Sequence, residues 1–234
     1  MKKLFLLAVA SVGLLSLQAQ RFKGNTVTER TKIGIHGGMS VAYLSYGSGY
    51  DGYGNYYSNN SDALVGGTYG IDIEMPLKNG WYLQPEVNYT NMGGKDWNTQ
   101  TDNNNNSYSF KYRDALNYLQ VPILIKYKPM LQGFGIYFGP QYGYLLSAKE
   151  HYYDGSPSQN VKASSIKNEF ALVLGFEYYF PSANDGPSFG LGLRGVAGLT
   201  NNVNKDYLYN NFSNVGNIPS TRNNGIYLTA GVRF

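Results

Sequence analysis

The stretch "GIYLTAGVRF", Gly225 to Phe234, decides the reading of this sequence. In an extended strand Ile226, Leu228, Ala230, Val232 and Phe234 fall on one side, and Gly225, Tyr227, Thr229, Gly231 and Arg233 on the other. The last residues of a water-soluble domain are commonly frayed and polar. Here the alternation runs to an aromatic ring, as though the final strand were needed to its last atom. A closed barrel in a membrane gives the reason: every backbone N–H and C=O within the bilayer must bond to a neighbouring strand, so the last strand has to pair with the first.

Seven further segments share the period of two. They are 32–44, 69–77, 81–90, 117–128, 134–147, 168–180 and 189–200, with Asn79-Gly80 marking a tight hairpin between the second and third. Short connections (78–80, 129–133, 181–188) alternate with long ones rich in Tyr, Asn, Ser and Gly (45–68, 91–116, 148–167, 201–224). Eight strands then place all short turns at the end holding both termini and all long loops at the other. Outer-membrane barrels have this arrangement, with periplasmic turns and extracellular loops.

Alternation alone would also suit a soluble barrel with an apolar interior, and the identities on each face decide between them. One face carries large apolar residues on every strand and no charge, as hydrocarbon demands, because Arg or Lys there costs about 2–4 kcal/mol at the bilayer midplane. Aromatic residues gather towards its ends (Trp81, Tyr89, Tyr127, Phe134, Tyr178, Phe180, Phe189 and Phe234), where interfacial girdles form. The opposite face is rich in glycine, which makes room inside a narrow eight-stranded bore. Between the glycines stand Gln84, Asn88 and Gln120 together with His36, Asp72, Glu74, Glu86, Lys126, Glu177, Arg194 and Arg233, the last eight predicted to form a polar network filling the lumen. The expected fold is all-β: an eight-stranded antiparallel up-and-down transmembrane barrel with a filled polar lumen.

Composition agrees. The 234 residues include 23 Tyr and 29 Gly but only 15% charged residues, which suits many strands and turns. Cysteine is absent, so disulfides and thiolate chemistry are excluded. At the start, "MKKLFLLAVASVGLLSLQAQ" places two lysines before an apolar run too short to span a bilayer as a helix. We read residues 1–19 as a cleaved signal peptide, 20–30 as a short periplasmic segment and 31–234 as the barrel. Loss of Lys2 and Lys3 lowers the formal charge from +4 to +2, too little to suggest a nucleic-acid partner.

The strands "NYLQVPILIKYKP" and "FGIYFGPQYGYLLSAK" resemble the PorT-like outer-membrane barrel family of Bacteroidetes-type bacteria. Tyr118, Leu119, Pro122, Lys126 and Tyr127 match one strand motif, and Gly139, Pro140, Gly143, Tyr144, Leu145 and Leu146 the next. The resemblance, over residues 31–234, implies an outer-membrane barrel with no known catalytic residues, whose name-giving member serves protein secretion. It also implies that Phe234 is the C-terminal signal read by the barrel-assembly machinery.

Enzyme chemistry needs a base beside a nucleophile or activated water. The two histidines are His36 in the lumen and His151 in the third long connection, where Ser147 or Ser156 is the nearest candidate nucleophile. The polar stretches 51–62 and 102–107 lack the spacing of a calcium loop. The sequence therefore predicts a non-enzymatic, monomeric envelope barrel without cofactor or metal, embedded in outer-membrane lipid and porin-like in fold only. Two roles remain open: a structural or interaction barrel accessory to secretion, or surface adhesion or ligand binding through the Tyr/Asn/Gly loops. A lipid- or peptide-modifying enzyme is the third and weakest reading.

Overall fold

The computed structural model describes residues 30–47, 49–50, 56–57, 60–101, 107–129, 133–182, 186–211 and 220–234. The predicted signal peptide, 1–19, and, except for Arg30, the expected periplasmic segment 20–30 lie outside these residues, as do most of 51–62 and almost all of 102–107. Eight long strands build the molecule: β1 (Lys32–Tyr46), β2 (Asp62–Pro76), β3 (Trp81–Thr101), β4 (Ser107–Tyr127), β5 (Phe134–Tyr152), β6 (Asn168–Tyr179), β7 (Ser188–Gly198) and β8 (Thr221–Arg233). Each pairs antiparallel with the next, and β8 returns to pair with β1 from Gly34↔Arg233 to Tyr46↔Thr221, closing the sheet into a barrel.

The seam is bonded to its end. Phe234 donates its N–H to the carbonyl of Ile33 at 2.9 Å and accepts the N–H of Ile33 at 3.3 Å. At the hairpin between β2 and β3, Asn79 and Gly80 both have positive φ, 55° and 78°, the mirror-image turn that follows the right-handed twist of the strands.

The strands are inverted relative to a soluble barrel. Along β6 every second side chain is buried, and those facing outward are Phe170, Leu172, Leu174, Phe176 and Tyr178. Leu174, at mid-strand, is 64% exposed. The same outward row continues through Ile33 and Ile35, Ile71, Phe138, Leu191 and Leu228. Meanwhile Asp72, Glu74, Glu86, Lys126, Arg194 and Arg233 are buried inside. An apolar ring of this extent around an ionic interior is stable against hydrocarbon and not against water. Met75 is the exception on the outward face: it is 5% exposed, opposite Leu83 on β3.

The long connections are more ordered than their composition suggests. Most of 91–116 is not loop but a continuation of β3 and β4, paired residue by residue up to Thr101↔Ser107. Past the apolar belt a ladder needs only its backbone hydrogen bonds, so the alternation that marks a membrane strand disappears while the strand goes on. Residues 161–166 and 199–204 are stitched together by an isolated bridge, Ser165↔Val203, and by Ile166 N–H to Asn202 O at 2.7 Å. A seven-residue helix, α1 (Lys205–Asn211), follows, its first turn capped by Asn204, whose Oδ1 accepts the Tyr207 N–H at 3.2 Å.

Candidate functional site

Inward-facing positions of β1–β8 supply the lumen, and its two halves differ. Towards the end holding Phe234, Arg233 is a hub. Its guanidinium donates from Nε to Asp72 at 3.0 Å, from Nη1 to Glu74 at 2.8 Å and Glu177 at 2.5 Å, and from Nη2 to Gln84 at 3.1 Å. Lys126 Nζ bridges Glu74 (2.9 Å) and Glu177, and Lys128 reaches the other oxygen of Glu74 at 2.5 Å.

One layer further in, Arg194 grips Glu86 with two parallel bonds of 2.8 and 3.0 Å, while Gln84 and Asn88 donate to the same carboxylate at 2.7 and 2.9 Å. His36 Nδ1 lies 3.3 Å from Asp72 and its Nε2 3.0 Å from Asn88 Oδ1. Both ring nitrogens lie within hydrogen-bond distance of the network. The carboxylates Asp72, Glu74, Glu86 and Glu177 are thus matched by Lys126, Lys128, Arg194 and Arg233. Charges buried in a low dielectric are tolerated only when paired and hydrogen-bonded in this way.

Two of the glycines have a definite task here. Gly175 sits in register with Tyr137 and Gly190 with Tyr179. A Cβ on either would come within 2.6 Å of the tyrosine ring atoms. Each ring lies over its glycine and in turn under a guanidinium: Arg194 is 5.3 Å from the Tyr137 centroid, Arg233 4.1 Å from that of Tyr179. Glycine, tyrosine and arginine therefore stack twice, fixing both arginines by cation–π contact. The space left among them is about 10 Å³, room for a single water.

The half of the lumen nearer the long connections is filled differently. Leu44, Met92, Leu116, Leu124, Leu145, Val173 and Val196 pack into one apolar cluster with Tyr118 and Tyr227. Glu169 is buried beside this cluster with Asn223 as a donor at 2.5 Å, and no cation pairs with it among the described residues.

The sequence reading placed the eight charged or imidazole residues of the network, with Gln84 and Asn88, on the inward face but missed Lys128, Tyr137, Tyr179 and the apolar half. Period-two parity already places Leu124 and Val196 inward; the identity of each partner depends on register, which the sequence does not display. The aromatic residues of the expected girdles lie outward, with Trp81 and Tyr127 packed at a tilt, ring centroids 4.9 Å apart, and Tyr178 edge-on to Phe180 at 5.1 Å. Phe134 packs 6.5 Å from Phe176, and Tyr89, Phe189 and Phe234 are exposed.

The structure does not assemble the hydrolytic group considered from sequence. His151 Nδ1 bonds to Ser158 at 2.6 Å, not to Ser147 or Ser156. Ser147 accepts from Asn117, and the Ser156 N–H is bound to Asp154. Among the described residues no group of three His, Asp, Glu or Cys side chains is arranged to hold a metal ion.

Solved structures of similar fold include the attachment invasion locus protein Ail of Yersinia pestis, at 14% identity and TM-score 0.42, covering 88% of this chain and 100% of that one. A major outer membrane protein of Thermus thermophilus aligns at 14% identity and TM-score 0.43, over 85% of this chain and 99% of that one. The outer membrane protease OmpT of Escherichia coli aligns at 11% identity and TM-score 0.40, over 90% and 99%. No curated protein matches the chain. The outer membrane protein beta-barrel domain matches residues 18–204, most of the sequence, and with its apolar outer wall and closed eight-stranded ring the chain belongs to that family of the bacterial outer membrane.

Proposed function

We propose that the chain is a non-enzymatic, monomeric outer-membrane barrel whose sealed lumen is structural and whose working surface is the rim at the long-connection end. The termini face the periplasm and the extended hairpin of β3 and β4 faces outward from the cell. The observation that carries this reading is the filling of the bore, with matched ion pairs in one half, apolar packing in the other and room for one water between the arginines. Such a lumen supports a rigid post and not a conduit. In planar bilayers the purified barrel is expected to add no steady ion conductance over bare lipid; stable open channels would overturn the reading.

The resemblance to PorT-like barrels supports a narrower role as an accessory to protein secretion, with the barrel-assembly machinery as the partner that inserts it. A strain lacking the chain that exports its secreted proteins normally would remove that role. The adhesive reading rests on the Tyr/Asn/Gly composition of the connections. Replacing residues 95–113 by an Asn-Gly turn separates it from a purely structural role: the barrel should still fold, while capture of cells or glycans by the surface should be lost.

A further inference from the structure

Above the apolar belt the barrel wall carries opposite charge on its two faces. On β3, β4 and β5 a basic residue pointing outward precedes an acidic residue pointing inward: Lys95-Asp96, Arg113-Asp114 and Lys149-Glu150. Register brings these to one height, with Lys95 opposite Arg113, Arg113 opposite His151, and Asp114 opposite Glu150. Lys95 has Asp62 across from it on β2. Arg113 and Lys149 are exposed, and no carboxylate lies within ion-pair distance of either among the described residues. Lys167 is exposed just before β6, and Lys162 is held against β5 by its Nζ bond to the Leu146 carbonyl at 2.5 Å. Lys95 and Arg113 face one another as like charges across the ladder, and Lys149 is set opposite the uncharged Ala115 and Asn160, so Arg113 and Lys149 are left without an opposing carboxylate and this sector is poised for an anion.

Its position says which anion. Tyr144 and Leu146 on β5, with Phe170 on β6, are exposed outward and end the apolar belt directly below. Lys149 lies three residues beyond Leu146, about 10 Å along the strand and roughly 7–8 Å in height at the usual barrel tilt. That is the depth of the headgroup layer, roughly 5–8 Å on each side of the hydrocarbon. The Arg113 side chain is long enough to reach down to the same level. A soluble anion would meet charges presented to open water above the rim; Arg113 and Lys149 stand on the lateral wall, continuous with the surface that touches acyl chains.

We propose that Arg113, Lys149, Lys162 and Lys167 form a binding site for the phosphorylated headgroup of a membrane lipid in the leaflet at the long-connection end. The lipid's chains lie over Tyr144, Leu146 and Phe170. Guanidinium and ammonium groups supplied by β4, β5 and the connection leading into β6 match the several oxygens of a phosphate monoester better than a single carboxylate.

The test uses the full barrel reconstituted in phosphatidylcholine vesicles containing lipid A, the same lipid after enzymatic removal of its phosphates, or no added lipid but inorganic phosphate. Co-purification of labelled lipid is the readout, with heat-modifiable migration reporting that each variant is folded. Wild type should retain phosphorylated lipid A and release it in the Arg113→Glu/Lys149→Glu variant, with affinity weaker by about 30-fold or more. Arg113→Gln/Lys149→Gln should show a smaller loss, and Lys205→Glu, on α1, none. Equal retention by wild type and the double variant, equal retention of the dephosphorylated lipid, or full displacement by inorganic phosphate would each overturn the proposal. A conducting lumen would refute the sealed-barrel reading without touching this one.

Discussion

Replacing Arg194 by Met should expose how much of the barrel depends on one buried ion pair. Glu86 is fully buried and receives four donors, two from Arg194 and one each from Gln84 and Asn88. Removing the guanidinium leaves a carboxylate with two neutral amides in a medium where an uncompensated charge costs about 3–5 kcal/mol. Glu86→Gln should cost a similar amount, because it strands Arg194 with only Tyr137, whose hydroxyl lies 3.3 Å from Nε. The double variant Glu86→Gln/Arg194→Met buries no charge. It should be less destabilised than either single change, giving a coupling energy of about 3 kcal/mol or more in a double-mutant cycle. Urea unfolding of the refolded barrel in lipid vesicles, followed by fluorescence of the outward-facing Trp81, measures all four corners. Two single costs below about 1 kcal/mol that simply add would refute the claim that the pair is desolvated and mutually dependent.

Three further outcomes are expected. Leu174→Arg puts a cation at mid-belt and should cost about 2–4 kcal/mol and block vesicle insertion, whereas Leu174→Phe should insert normally. Gly175→Leu would push the Tyr137 ring off Arg194 and should cost about 1–3 kcal/mol or more by overpacking, read as a lower urea midpoint. Above the belt, burial, with Glu150 and Asp96 adding their negative charge, pushes the Asp114 carboxyl up to about 7. The folded state therefore holds a proton that the unfolded chain, titrating near 4, has already released. Stability from this group is full below about pH 4 and is lost as pH rises to about 7. The loss is as much as about 4 kcal/mol, reduced by solvent reaching the half-buried rim. Asp114→Asn should flatten that slope between pH 4 and 8; an unchanged slope would mean Asp114 is not its source.

The membrane-crossing part of the fold was legible because hydrocarbon imposes a strict rule on every second residue, as in Phe170, Leu172, Leu174, Phe176 and Tyr178. The upper half of β3 and β4 was not, because outside the bilayer the only requirement is backbone pairing, and Asn91–Leu116 reads as polar linker by composition. Inside the bore, His36, Asp72, Glu74, Glu86, Lys126, Glu177, Arg194 and Arg233 were recognisable by parity. Which meets which was hidden, since Arg233 and Asp72 come from distant parts of the chain and touch only through the register of the closed ring. The paired Gly175–Tyr137 and Gly190–Tyr179 stacks were invisible for the same reason: each is an adjacency between strands, not along one.

The seam between β1 and β8 also sets the timing of folding. The first and last strands are joined by thirteen residue pairs spanning almost the whole chain, so the costliest loop closure comes in a single step that no shorter piece can anticipate. Until β8 arrives, β1 and β7 are both open edges, able to accept a strand from any neighbour. A nascent polypeptide of this design has to be kept from collapsing until its final residues are delivered, and its slowest event is the meeting of its two ends.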